Sequence, residues 1–137
     1  MMRAVADTSV IVASILDGGA RQVVCANALE TSSAAAAGHA WFESFSVLTR
    51  LPLEVRLSPS DAWRVLASAT HGARFLSTAE QNDFQDWLGD VSLAGGAVYD
   101  ALVGWVAKAA DVPLLTRDVR ALPIYRALKI EVLFIDT

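Results

Sequence analysis

The chain has 137 residues, 54% of them hydrophobic, with a mean hydropathy of +0.41 and a formal net charge of −4. Its length suits one compact domain, and its negative charge excludes a protein that grips nucleic acid by broad electrostatics alone, though not an enzyme that acts on it. No uncharged run approaches the roughly 20 residues of a bilayer span; Asp7 also falls inside the would-be apolar core of a signal peptide, so a cytoplasmic location is expected.

The first element, Arg3-Ala-Val-Ala-Asp7-Thr8-Ser9 running into Val10–Leu16, has the pattern of a short buried strand that turns into a helix capped by Thr8 or Ser9. Asp7 then stands at the carboxyl end of a strand, where open α/β sheets place their sites, unless it is an ordinary turn aspartate. A turn at Asp17–Ala20 leads into a helix from Arg21 to Glu30, with Val23, Val24 and Leu29 apolar. Cys25, the only cysteine, excludes an internal disulfide and a Cys-based zinc site, and reads as a small buried hydrophobe. Ala34–Ala37 reads either as a short strand or as the approach to the next helix. That helix, His39 to Leu51, carries Trp41, Phe45 and Leu48 on one stripe and is stopped by Pro52. Glu43 stands at the edge of the stripe, placed to face a cleft or to pair with its own neighbours.

Ser58–Asp61 starts a further helix, continued by Ala62–Thr70 through Trp63 and Leu66 and ended at Gly72. Ala73–Ser77 reads as a strand, followed by a cap at Ser77 or Thr78 and an acidic amphipathic helix with Phe84, Trp87 and Leu88 inward. Gly95-Gly96 opens the helix Ala97–Ala110, packed through Val98, Leu102, Trp105 and Ala109. Asp100, near its start, has Gly96, Ala97, Ala101 and Gly104 around it, which leaves room for an ion or phosphate; an aspartate that merely stabilises the helix start is the other reading. Val112–Thr116 is a second buried strand ending in a carboxylate, Asp118. A short helix over 121–128, interrupted by Pro123, and a last strand, Glu131–Ile135, complete the chain.

Short strands alternating with longer helices predict an α/β fold with a central parallel sheet of four to five strands covered by helices on both faces. Asp7 and Asp118 then emerge at one sheet edge, within reach of Glu43 and Asp100. Crowded carboxylates repel, and a divalent cation removes that penalty. Oxygen ligands, with only His39 and His71 beside them, suit Mg²⁺ or Mn²⁺ better than zinc, and the implied chemistry is metal-assisted phosphodiester hydrolysis. A receiver domain would need paired acids after the first strand, and a dehalogenase-type phosphatase an Asp where Ser9 stands.

Asp7-Thr8-Ser9, His39-Ala-Trp-Phe-Glu43 with Ser46-Val-Leu-Thr-Arg-Leu-Pro52, Tyr99-Asp100-Ala101-Leu102 and Leu114-Leu-Thr-Arg-Asp118 occur in that order over nearly the whole chain. The chain thereby resembles the PIN-domain ribonucleases, and most closely the VapC-type toxins of bacterial toxin–antitoxin pairs. The resemblance implies a Rossmann-like PIN fold and metal-binding acids at Asp7, Glu43, Asp100 and Asp118. Hydroxyl residues at Thr116 and Ser9 would support those acids or the attacking water. It further implies Mg²⁺ or Mn²⁺ dependence, endonucleolytic cutting of RNA, a homodimer, and a cognate VapB-type antitoxin whose C-terminal segment lies along the active-site groove.

Arg50, Arg117 and Arg120 read as guides for RNA or as structural ion-pair partners. His39, four residues before Glu43, reads as a local hydrogen-bonding group. The tryptophans 41, 63, 87 and 105 are expected in core or dimer packing rather than base stacking. The apolar excess fits a partner face or scattered exposed alanines equally. The rival function is a catalytically idle PIN-like module that only binds a partner.

Overall fold

The computed structural model describes residues 1–136. Five parallel strands form one sheet in the order β3-β2-β1-β4-β5: β1 (Val5–Ala6), β2 (Ala35–Ala37), β3 (Ala73–Arg74), β4 (Leu114–Thr116) and β5 (Val132–Phe134). Seven α-helices flank it among the described residues: α1 (Thr8–Leu16), α2 (Gly19–Thr31), α3 (His39–Thr49), α4 (Pro59–Ala69), α5 (Thr78–Asp90), α6 (Ala97–Ala110) and α7 (Leu122–Ala127). This is the α/β, PIN-like architecture expected, with five strands. None of these helices is long and apolar enough to cross a membrane.

The central strands are apolar without alternation because both of their faces are covered. Val5, Ala6, Ala36 and Leu114 are wholly buried. Ala34–Ala37, undecided from alanine alone, supplies β2, paired with β1 on one side and β3 on the other. Alanine has little strand preference of its own, so tertiary pairing decides the conformation. Its short side chains leave space for α3 and α6, which pack directly on β2.

Two local expectations are narrowed and one is corrected. In α2 the buried positions are Cys25 and Leu29, while Val23 and Val24 are exposed; the helix starts two residues earlier, at Gly19, and turns its Cys25 face to the core. Trp63, expected in core or dimer packing, is 58% exposed and takes no part in the core, since α4 buries Ala62 and Leu66 and the neighbour of Ala62 points about 100° away. Pro123 does not interrupt its helix but lies in the first turn of α7, where a missing N–H leaves no bond unmade.

Trp105 and Trp87 do pack inward in a secondary apolar cluster of α5 and α6, with Trp87 stacked on Phe84 and Trp105 tilted against both rings. On α6, Gly104 faces α7 so closely that a Cβ there would lie 2.6 Å from Leu128 Cδ1 and 3.1 Å from Tyr125 Cδ1. The absent side chain lets α7 lie against α6, with Tyr125 buried between the helix and the sheet.

Candidate active site

Chain order reverses across the sheet at β1 and β4: the chain moves outward from β1 to β2 and β3, then returns to β4 on the opposite side. At such a switch point the loops leaving two adjacent strands diverge and open a crevice at their carboxyl ends. Asp7 and Asp118 leave β1 and β4 there, held in register by the Asp7 N–H donating to the Leu115 carbonyl at 3.1 Å.

Asp7 is 5% exposed and caps α1. Its Oδ1 accepts from the Ser9 N–H at 3.1 Å and the Ser9 hydroxyl at 2.5 Å. Its Oδ2 accepts from the Thr116 hydroxyl at 2.5 Å and the Tyr125 hydroxyl at 2.9 Å. Burial pushes the Asp7 carboxyl above its ordinary pKa, against the pull of these bonds. Burial first, and then the Asp7 charge, hold the Tyr125 proton in place far above the usual phenol range, so Tyr125 is a fixed donor.

The same hydroxyls organise the second loop. Ser9 Oγ accepts from the Arg117 N–H at 2.8 Å and Thr116 Oγ1 from the Asp118 N–H at 3.0 Å. Asp118 then caps a 3-10 turn, Val119–Ala121, by accepting from the Arg120 N–H. Asp100 enters from the first turn of α6. Glu43, from α3, lies 3.6 Å from His39 Nε2. Burial raises the Glu43 pKa; the His39 charge opposes this, and the charges of Asp100 and Asp7 add to it.

All four acids line one small pocket of about 80 Å³, together with Tyr125 and Arg120. A much larger hollow, about 690 Å³ beside Ser14, Gln22, Glu30 and His71, contains none of the four, so the chemistry and not the size marks the site. The three arginines part company. Arg120 donates to Asp100 at 2.9 and 3.3 Å and to Asp118 at 3.1 Å, with 69% of its side chain exposed. Arg50 borders a neighbouring hollow with Glu43. Arg117 does not line the acidic pocket; its Nε is buried without a hydrogen-bond partner among the described residues, and its charge acts on the buried Cys25 thiol, opposing the rise that burial causes. Tyr125 escaped the sequence reading, because in a short apolar helix nothing local marks a hydroxyl whose partner is 118 residues away.

Among the described residues no three His, Cys, Asp or Glu side chains already stand together as a ligand set; the Arg120 guanidinium lies between Asp100 and Asp118. The donor chemistry fits a hard divalent cation all the same. The donors are carboxylate oxygens, and the neighbouring negative charges that help raise the Glu43 pKa are what such a cation offsets.

A parallel sheet with four carboxylates gathered at its switch point defines a PIN-like α/β protein. No protein-family model matches the chain. It is similar to Ribonuclease VapC40 of Mycobacterium tuberculosis, 40% identical over 127 residues that cover 92% of this chain and 94% of that protein. It is also similar to Ribonuclease VapC27 of the same organism, 41% identical over 99 residues, 72% of each chain. The chain belongs to the VapC-type PIN ribonucleases.

Proposed function

We propose that the protein is a Mg²⁺- or Mn²⁺-dependent endoribonuclease toxin restrained by a cognate VapB-type antitoxin, acting in the cytoplasm as a homodimer of single PIN domains. The observation that carries this reading is the convergence of Asp7, Glu43, Asp100 and Asp118, from four separate elements, on one pocket. Relatives named as ribonucleases across nearly the full chain support it.

In this mechanism Asp7, Glu43, Asp100 and Asp118 would hold the metal. The chemistry that a divalent ion would supply there is a lowered pKa for a bound water and stabilisation of charge developing on the phosphodiester. Ser9, Thr116 and Tyr125 keep both oxygens of Asp7 aimed and ionisable. Glu43, whose pKa partial burial raises, takes up a proton from the attacking water. Arg120, at the exposed rim, supplies positive charge to which an RNA phosphate is drawn.

The antitoxin-free protein is expected to cleave single-stranded RNA only with Mg²⁺ or Mn²⁺ present, and Asp7→Asn or Asp100→Asn to remove cleavage while circular dichroism shows an intact fold. Retained cleavage in either variant rejects the mechanism. An idle binding module would neither cleave nor take up Mn²⁺ in calorimetry.

A further inference from the structure

Beside the acidic pocket lies a second recess that the chemistry above does not use. It has a volume of about 200 Å³ and is lined by Gly38, His39, Phe42, Phe75, Leu102 and Val106, with Gln81 as its polar wall. Phe42 and Phe75 are 55% and 49% exposed, with ring centroids 5.7 Å apart. His39 stacks on Tyr99 with centroids 5.0 Å apart and planes inclined by 21°. Gly38 forms the floor at positive φ, where a Cβ would press on the Arg74 carbonyl at 3.2 Å and Val106 at 3.3 Å.

The recess is continuous with the acids through shared residues. Glu43 lines both the acidic pocket and the hollow next to it, and His39 and Phe42 line that hollow and the recess. Tyr99 directly precedes Asp100. A strand of RNA with its phosphate at the acids therefore carries a neighbouring base past an exposed aromatic edge. Unpaired RNA bases are recognised by stacking on such rings and by hydrogen bonds at their edges. Gln81 donates its amide to the Leu76 carbonyl at 3.1 Å. This fixes the amide orientation and leaves Oε1 free to accept from a base amino or imino group.

We propose that this recess is a nucleobase subsite, which holds one unpaired base close to the scissile phosphate against the exposed Phe75 ring, beside the His39–Tyr99 stack, and by a hydrogen bond to Gln81. The proposal rests on the reading of the acidic pocket as the cleavage site. An apolar side chain from a second copy of this chain is the competing occupant, which sedimentation distinguishes.

The test uses a short single-stranded oligoribonucleotide cut by the wild-type protein, prepared as a series with one abasic position each, and binding measured with the cleavage-deficient Asp7→Asn protein. Loss of one base near the cut is expected to weaken binding about tenfold or more, from a stacking contribution of about 1–3 kcal/mol per base. Phe75→Ala in the same background should weaken binding of the intact oligonucleotide similarly and add nothing for that abasic one, and Phe75→Tyr should restore binding.

Equal binding across the abasic series, or unchanged affinity in Phe75→Ala, overturns the subsite while leaving the cleavage reading intact. A shift of Phe75→Ala from dimer to monomer in sedimentation, with RNA affinity unchanged, assigns the face to a second copy. A wild-type protein that neither cuts nor binds RNA removes both readings.

Discussion

Asp7 shows how much a single residue is asked to tolerate. It is closed off from solvent, yet four donors converge on it. Because its folded pKa is raised, the folded state binds more protons than the unfolded state, and stability falls as pH rises from the unfolded aspartate pKa, about 3.8, toward the folded value. Asp7→Asn removes that loss and keeps an acceptor for Ser9. In chelator at neutral pH, the variant is expected to melt above the wild type, by about 4 °C per kcal/mol relieved. The difference should close as pH falls below 4; a lower melting temperature at neutral pH would contradict the burial argument. Asp7 is legible in sequence because strand, acid and capping hydroxyls are adjacent. Tyr125 is not, since the contact that gives it meaning spans 118 positions.

At the level of elements, helix starts were the easiest features to read, because caps act over three residues. Ser77 forms a complete capping box: its hydroxyl accepts from the Glu80 N–H, and Glu80 accepts from the Ser77 N–H. Arg74, at the end of β3, grips both Glu80 oxygens at 3.0 Å, tying β3 to α5. These contacts, the Arg74 bonds foremost, lower the Glu80 pKa to about 2. A lowered folded pKa gives stability that is present above the unfolded value of 4.5 and lost as pH falls toward about 2. Urea midpoints are therefore expected to fall more steeply from pH 5 to pH 3 in the wild type than in Glu80→Gln; equal slopes would show that the clamp is solvated away. Strands were harder. β2 is three alanines whose conformation comes from β1 and β3, and a pattern with no polar alternation carries no strand signal. Trp63 and Val23 mislead for a related reason: hydrophobicity alone does not say which side of a short helix meets the core.

Across the whole molecule, the parallel order of the sheet brings distant acids together. Two strand ends meet at the switch point, and α3 and α6 carry Glu43 and Asp100 to the same pocket. That convergence was legible from the alternation of elements, whereas the packing that supports it from behind was not. Gly104 belongs to that packing. Gly104→Ala gains helix propensity of up to about 1 kcal/mol but must displace the Leu128 methyl that would lie 2.6 Å away and push the Tyr125 ring by a few tenths of an ångström. The expected outcome is a small change in melting temperature with a clear fall in RNA cleavage, as the Tyr125 hydroxyl is drawn off Asp7. Unchanged turnover would show that α7 yields freely. The notch between the two helices thus makes disarming possible without touching an acid. If the protein harms its host as proposed, a growing culture has an escape at a glycine hidden on the reverse side of the acidic crevice, and survivors of forced expression should carry changes there as well as in the carboxylates.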